Sequence, residues 1–492
     1  MARRAVGRFI GWFRPQRGAG DPPLQLQLYA AIRAGVLDGR LGPGERLPSS
    51  RALGEDLGLS RNTVLGAYDR LVAEGYLAAR PASGVFVAED VPADLGQPAA
   101  AKAGPAGFSQ RGRRLIAAAP ETATPATTPE ARPFAVGLPA LAEFPLETWR
   151  RLTNRRLRRP EAGLLASRDP QGLPALRMAL AAYLTEARGL SCSADSILVV
   201  SGAQQALDLV GRVLLDPGDI AVVEDPGYAG VREALEAVGA RIEAVPVDAQ
   251  GLDPDHLARL SEPVKLVAVT PSHQFPLGGT MPLARRLGLL ALARQRGCMI
   301  VEDDYDCEYR YSGPPLPALQ GLDGGGQDGR VIYVGTFSKV LFPGLRLGYL
   351  VLPPRLVAGF VRAKLTADGH APSLPQAVLA DFIAEGHLAQ HVRRMRKLYR
   401  ERQQVLLGAL QRYCGATLRV GPAEAGLHLV AEFNDGRDDR AVAAAAAAIG
   451  VTVAPLSRYA IRRRLSGLLF GYAAFAPADL ERAAQALGKL LK

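Results

Sequence analysis

From residue 133 onward, short apolar runs alternate with amphipathic stretches, and that alternation admits few folds. Residues 197–200, 220–223, 264–269, 299–301, 331–334 and 347–352 read as buried strands, and 204–215 and 283–296 as helices between them. Strands that are apolar throughout are covered on both faces, so the pattern predicts a parallel or mixed α/β sheet flanked by helices. After Pro354 long helical patterns take over, followed by strands around 427–432, 451–453 and 468–472 and a closing helix from about Pro477. This last part reads as a smaller α+β subdomain.

A chain of 492 residues exceeds one core. Residues 89–132, rich in Ala, Pro, Gly and Thr, read as a partly extended linker. They separate a basic tail (1–20) and a small unit (21–88) from the large unit (133–492). In the small unit, Leu28, Tyr29, Ile32 and Val36 recur at helical spacing. A Gly- and Pro-rich turn then ends in a serine able to cap a second helix, and Ser60 can cap a third, buried through Val64, Ala67, Tyr68 and Leu71. Arg61, Asn62 and Thr63 are left at the exposed first turn of that helix, where such groups read base edges and phosphates in a major groove. An alternating ribbon from Tyr76, with its tip near 81–84, completes a winged helix-turn-helix. The plainer reading is a small helical dimerisation unit.

Lys339 closes a hydroxyl-rich turn, Val-Gly-Thr-Phe-Ser-Lys, just after the strand at 331–334. Pyridoxal 5'-phosphate needs such a lysine for its Schiff base, with hydroxyls and a guanidinium for its phosphate; Thr336, Ser338 and Arg346 meet those needs. Asp303, in Ile-Val-Glu-Asp-Asp-Tyr, is placed to keep the pyridine nitrogen protonated. Tyr305, on the same side of the extended chain, can bond the ring oxygen, while Asp304 points elsewhere. Paired acids also suit a metal, but no histidine accompanies them, so no metal is expected. Ser-Gly-Ala-Gln at 201–204 opens a helix whose Ala203 and Gln204 amides would face a phosphate. Tyr228 follows another strand and could stack on the ring, although alone it would be a packing aromatic.

Two resemblances join these readings. Pro-Gly-Glu-Arg-Leu-Pro-Ser-Ser-Arg-Ala-Leu, Leu-Ser-Arg-Asn-Thr-Val and Leu-Val-Ala-Glu-Gly-Tyr-Leu resemble the DNA-binding domain of GntR-type regulators. That resemblance implies DNA contacts by Arg51, Arg61, Asn62 and Thr63, with Ser83 and Gly84 at the wing; Leu65 stands near the place of a second arginine. The large unit resembles fold-type I aminotransferases over nearly its full length, and the whole chain is similar to the MocR subfamily of GntR regulators. The segments Thr-Pro-Ser-His-Gln-Phe-Pro-Leu-Gly from Thr270 and Leu-Phe-Gly-Tyr-Ala from Leu469 match that subfamily better than working aminotransferases. The resemblance implies a homodimer that binds double-stranded DNA, holds pyridoxal 5'-phosphate and senses it or an amino compound.

The large unit departs from working aminotransferases at two places. Phe275 stands where an asparagine usually contacts the ring oxygen, with His273 nearby as a substitute, and no arginine adjoins Leu469. Arg458 is the substitute for the carboxylate clamp, so Arg458 and His273 are the expected effector contacts. These departures favour a regulator over the alternative, an active aminotransferase carrying a DNA-binding module, with residual transamination left open.

The net charge of +11 agrees with an anionic partner. The arginine-rich run at 150–159 could touch DNA or a partner subunit, but reads first as a solvated helical face. Cys192, Cys298, Cys307 and Cys414 lack metal-ligand spacing and suggest a reducing compartment. With no secretory or membrane-spanning pattern, the expected location is the cytoplasm.

Overall fold

The computed structural model describes residues 12–90, 107–118, 132–158, 162–166, 169–313 and 316–492. Two compact units divide at Gly107 and Phe108. Most of the expected tail and linker, including Arg3, Arg4 and Arg8, lies outside the described residues, as does Arg159.

In the first unit, helices Leu24–Leu37, Ser50–Leu57 and Arg61–Ala73 pack through Leu28, Ile32, Leu53, Val64 and Leu71. Ser49 accepts the Ala52 amide and Ser60 the Thr63 amide, so serines cap both later helices. The turn between these helices is tight. Gly58 adopts a left-handed φ of 62°, and a Cβ at Gly54 would lie 2.9 Å from the Leu59 carbonyl oxygen. Strands β1 (Leu77–Arg80) and β2 (Gly84–Val87) form an antiparallel hairpin from Leu77 opposite Val87 to Arg80 opposite Gly84. Arg46 bridges to Phe86 on its free edge. Helix, turn, helix and wing therefore follow the sequence expectation.

The second unit is built on a mixed sheet. Its strands are β3 (Ile197–Val200), β4 (Ile220–Asp225), β5 (Arg241–Asp248), β6 (Gly251–Leu252), β7 (Val264–Val269), β8 (Met299–Asp304), β9 (Val331–Thr336) and β10 (Gly348–Val351), in the order β3-β10-β9-β8-β7-β4-β5-β6. Pairings among β9, β8, β7, β4 and β5 are parallel. β10 runs antiparallel to both β9 and β3. One face is covered by helices such as Ala203–Leu214 and Pro354–Asp368, through Leu207, Val210 and Phe360, and Leu283–Arg296 contributes Leu289 and Leu290 to another apolar core. The carboxyl ends of the parallel strands form one rim, where an open α/β sheet binds its ligand.

The small subdomain is a four-stranded antiparallel sheet of β11 (Leu418–Val420), β12 (His428–Phe433), β13 (Ala454–Pro455) and β14 (Gly467–Gly471), ordered β11-β12-β14-β13. Helices His387–Cys414 and Pro477–Leu490 pack with it through Leu406, Leu410, Leu480 and Leu487.

Three expectations are corrected. Residues 451–453 form no strand: Val451 and Val453 are buried, but Thr452 donates its amide to the Pro133 carbonyl, and the short strand begins at Ala454. The expected linker contains a helix, Gln110–Ala118, whose Arg114 guanidinium packs close to Gly239. The arginines of helix Leu146–Arg158 are not simply solvated, because Arg155 and Arg156 pair with Asp381 on helix Ser373–Ala384.

Candidate functional site

At the third helix of the first unit, Arg61 and Asn62 are exposed on the first turn. The Thr63 hydroxyl is instead 2.8 Å from Ser60 Oγ, joined to the cap, which limits its freedom to reach a base. Arg51 is exposed on the second helix and pairs with Glu55 at 3.2 Å, an exposed pair of small energetic consequence. Ser83 and Gly84 form the wing turn, where the Ser83 amide donates to the Arg80 carbonyl and Gly84 takes a φ of 108°. The exposed Arg46, missed from sequence, lies against this turn: a Cβ on Gly84 would sit 3.3 Å from its Nε. Leu65, 42 % exposed, presents an apolar side chain on the same helix as Arg61 and Asn62.

In the second unit, the rim of the sheet gathers the groups expected for a cofactor. β9 ends at Thr336, whose Oγ1 accepts the Ser338 amide at 3.2 Å and so shapes the turn that delivers Lys339. The Lys339 amine donates to the Gly137 carbonyl at 2.8 Å. A Cβ at Gly137 would lie 2.7 Å from that nitrogen, so a larger residue there would displace the amine. Burial lowers the pKa of the amine, and the charges of Asp306 and Asp303 raise it again in part.

Because β10 runs backward, the residue just before it returns to the same rim. Arg346 leaves the short turn Pro343–Leu345 with a left-handed φ of 51°. Its guanidinium lies about where a Gly202 side chain would point, 3.6 Å from the ideal Cβ position. Gly202, φ 109°, precedes the helix Ala203–Leu214, whose first-turn Ala203 and Gln204 amides have no acceptor within the helix. A Cβ on Gly348 would come within 3.0 Å of Gly202 Cα, so the backbones meet closely there. A guanidinium beside bare helix amides suits a phosphate. The Gln204 side chain takes no part, because its amide donates to the Gly230 carbonyl.

β8 supplies the acids. Asp303 is buried, and among the described residues its Oδ1 has no hydrogen-bond partner. Burial first, then the charges of Asp304, Glu224 and Asp306, push its carboxyl up to about 7, with Lys339 opposing. Asp304 turns away to Arg188 Nε at 3.1 Å and the Tyr333 hydroxyl at 2.7 Å. An unpartnered buried carboxylate fits the basic ring nitrogen of pyridoxal phosphate, with the amine of Lys339 and the Arg346 cradle for its other ends.

Tyr228, 40 % exposed, borders the cleft with Thr270, Asp303, Arg458 and Tyr459. Its ring meets Phe275 edge-on at 5.9 Å, and Phe275 in turn meets Tyr305 at 5.8 Å and Tyr459 at 5.1 Å. The loop carrying Arg458 is docked on β4: Asp225 accepts the amides of Ile461, Arg462 and Arg463. His273 departs from its expected role as an effector contact. It is only 4 % exposed, with Nδ1 turned to Tyr305 and Asp306. Gly137, Gly202, Asp306 and Tyr459 were not foreseen. The glycines of Val-Gly-Leu-Pro and Val-Ser-Gly-Ala were visible signals, whereas nothing near Asp306 in the sequence points to His273.

Among the described residues no cluster of three or more His, Cys, Asp or Glu is placed to hold a metal, and no helix is long and apolar enough to cross a membrane.

Known proteins agree with this division. Residues 24–87 match the bacterial regulatory proteins of the gntR family, and 134–487 match aminotransferase class I and II. The chain is 43% identical, over 95% of its length and 93% of the relative, to a probable rhizopine catabolism regulatory protein, MocR, of Rhizobium meliloti. It is 32% identical, over 88% of each chain, to the pyridoxine biosynthesis transcriptional regulator PdxR of Corynebacterium glutamicum. Its second unit is similar to LysN of Thermus thermophilus, an alpha-aminoadipate aminotransferase solved with N-(5'-phosphopyridoxyl)-L-leucine. That likeness has a TM-score of 0.67 and 32% identity, covering 73% of this chain and 91% of LysN. With a winged helix of the gntR type in front of a class I and II aminotransferase unit, the chain belongs to the MocR subfamily of GntR regulators.

Proposed function

We propose that this transcriptional regulator holds pyridoxal 5'-phosphate on Lys339 and responds to the cofactor, or to an amino compound meeting it there, by changing how it engages promoter DNA. The observation that carries the reading is the convergence of a half-buried lysine amine, a buried carboxylate whose Oδ1 has no partner among the described residues, and an arginine beside the first-turn amides of a helix on one rim. The likeness to LysN, solved with N-(5'-phosphopyridoxyl)-L-leucine, and to PdxR, a regulator of pyridoxine biosynthesis, supports it.

Bound pyridoxal phosphate supplies an electron sink for bonds to the carbon bearing an amino group. The chain's own residues do the rest. Burial raises the neutral fraction of the Lys339 amine, the form that is nucleophilic. Asp303 holds a proton at the ring nitrogen, Arg346 with the Ala203 and Gln204 amides binds the phosphate, and Tyr305 faces the ring oxygen. Tyr228, at the cleft, would pack against the cofactor ring, and Arg458 would bind the carboxylate of an amino-acid effector. In the first unit, Arg61, Asn62 and Arg51 contact DNA, and a homodimer reads paired half-sites. The ligand changes transcription only to the extent that it favours one arrangement of the dimer over another. Phe275, which offers a ring edge where an amide would serve turnover, keeps this reading ahead of an active aminotransferase.

The test is the visible absorbance of the full-length protein loaded with pyridoxal phosphate, beside a gel-shift with its own upstream DNA. Lys339→Ala is expected to abolish the absorbance and leave a folded, DNA-binding protein that no longer responds to the cofactor. Absorbance equal to that of the unmutated protein would overturn the assignment of Lys339.

A further inference from the structure

Tyr305 is tied from behind. Its hydroxyl lies 2.9 Å from His273 Nδ1, and the same nitrogen lies 3.0 Å from Asp306 Oδ1 and 3.2 Å from Oδ2. One ring nitrogen carries at most one hydrogen, so it cannot donate to Asp306 and accept from the phenol at once. Asp306 is 1 % exposed, and an ionised carboxylate so buried requires a donor. Giving the Nδ1 hydrogen to Asp306 satisfies the carboxylate and leaves the phenol hydrogen free to point away from His273, into the cleft. The other tautomer would set a nitrogen lone pair against the carboxylate and turn the phenol hydrogen inward.

The surroundings hold this arrangement. A Cβ at Gly426 would lie 2.1 Å from His273 Cε1 and 2.9 Å from Asp306 Oδ2, so the bare backbone there makes room for the pair. The His428 ring lies 5.4 Å from His273 and donates Nε2–H to the Pro276 carbonyl. Burial depresses His428 to about 4, so this neighbour stays neutral and does not compensate Asp306. The other charged groups acting on this cluster are Lys339 from the turn after β9, Asp303 and Asp304 from β8, and Glu224 from β4. Phe275 meets Tyr305 only through ring contact, so it cannot direct the phenol.

We infer that Asp306 and His273 are positioning residues for Tyr305: the carboxylate fixes the imidazole tautomer, and the imidazole aims the phenol hydrogen at the ring oxygen of bound pyridoxal phosphate. The inference rests on Lys339 being the cofactor lysine. It gives the buried pair a task that an asparagine at position 275 would otherwise share.

The experiment follows the visible absorbance of the cofactor-loaded, full-length protein across pH in the unmutated protein, His273→Phe, Tyr305→Phe and the double variant. A hydrogen bond worth about 1 kcal/mol moves a titration midpoint by somewhat under one pH unit. His273→Phe and Tyr305→Phe are each expected to raise the midpoint by roughly half a unit or more, because the second removes the donor to the charged ring oxygen and the first leaves that donor unaimed. In the Tyr305→Phe background, His273→Phe should add nothing. An unmoved midpoint in His273→Phe, or a shift that is the same with and without the phenol, overturns the inference. Should His273→Phe fail to fold, as judged by thermal melting, Asp306→Asn takes its place in the same cycle with the same two outcomes. Absence of any visible band in the unmutated protein would instead overturn the cofactor reading.

Discussion

Replacing Asp303 by asparagine should strengthen the cofactor-free protein and weaken its grip on the cofactor. In the absence of a ligand this buried carboxyl is pushed from 3.8 up to about 7, chiefly by burial, and Oδ1 has no partner. A raised folded pKa means the native state holds a proton that the unfolded chain releases. The stabilising contribution is therefore complete below about pH 3.8 and lost as pH rises through about 7. Roughly three units at 1.36 kcal/mol each bound the cost of the ionised group at about 4 kcal/mol. The new amide must itself be buried with incomplete partners, at about 1–3 kcal/mol, so a net gain of roughly 1–3 kcal/mol remains at alkaline pH. Thermal melts of cofactor-free protein at about pH 8.5 and about pH 5.5 should show the variant more stable only at the higher value. The same substitution removes a charge-assisted bond of about 1.5–3 kcal/mol to the ring nitrogen, which predicts cofactor affinity lower by roughly ten- to a hundredfold. A variant no more stable at alkaline pH, or one that binds pyridoxal phosphate as tightly as before, would refute the placement of an ionised Asp303 opposite that nitrogen.

Two further outcomes are expected. Arg61→Ala should weaken binding to the cognate promoter fragment by about 1–3 kcal/mol, roughly five- to a hundredfold, in a titrated gel-shift at fixed salt; unchanged affinity would remove Arg61 from the readout surface. His391, which donates Nε2–H to the Val340 carbonyl, is depressed by burial to about 4, so its contribution is present above about 6.5 and lost as pH falls through about 4. His391→Phe should flatten that acid loss in urea melts, and an unchanged slope would show that another group governs it.

The strands that built the site were legible because burial on both faces leaves little but apolar residues in β3, β4, β7 and β9. β5 was not, since it lies toward the sheet edge and carries Arg241, Glu243 and Pro246 among its apolar residues. β11 is three residues long, and residues 451–453 imitate a strand by burying their valines in a loop. Helix Gln110–Ala118 was hidden because its Ala- and Pro-rich surroundings outweighed Leu115 and Ile116 in any composition window. Local motifs exposed the cleft wherever one strand end supplied several groups, as with Asp303 and Tyr305. Contacts closed over long separations left no such trace: Gly137 meets Lys339 across 202 positions, and His273 meets Asp306 across 33.

The reversed strand β10, second from one edge of the large sheet, has a consequence for how the pocket is assembled. A chain that goes out on β9 and comes straight back on β10 places Lys339 and Arg346, the proposed covalent and ionic anchors, on a single hairpin loop, seven positions apart. On the proposed reading, both attachment points for the cofactor are thereby fixed by local geometry, with little dependence on how distant parts of the domain settle. Lengthening or shortening that loop by one residue would put the two anchors out of step with the span of the molecule they grip, even with every side chain at the rim retained.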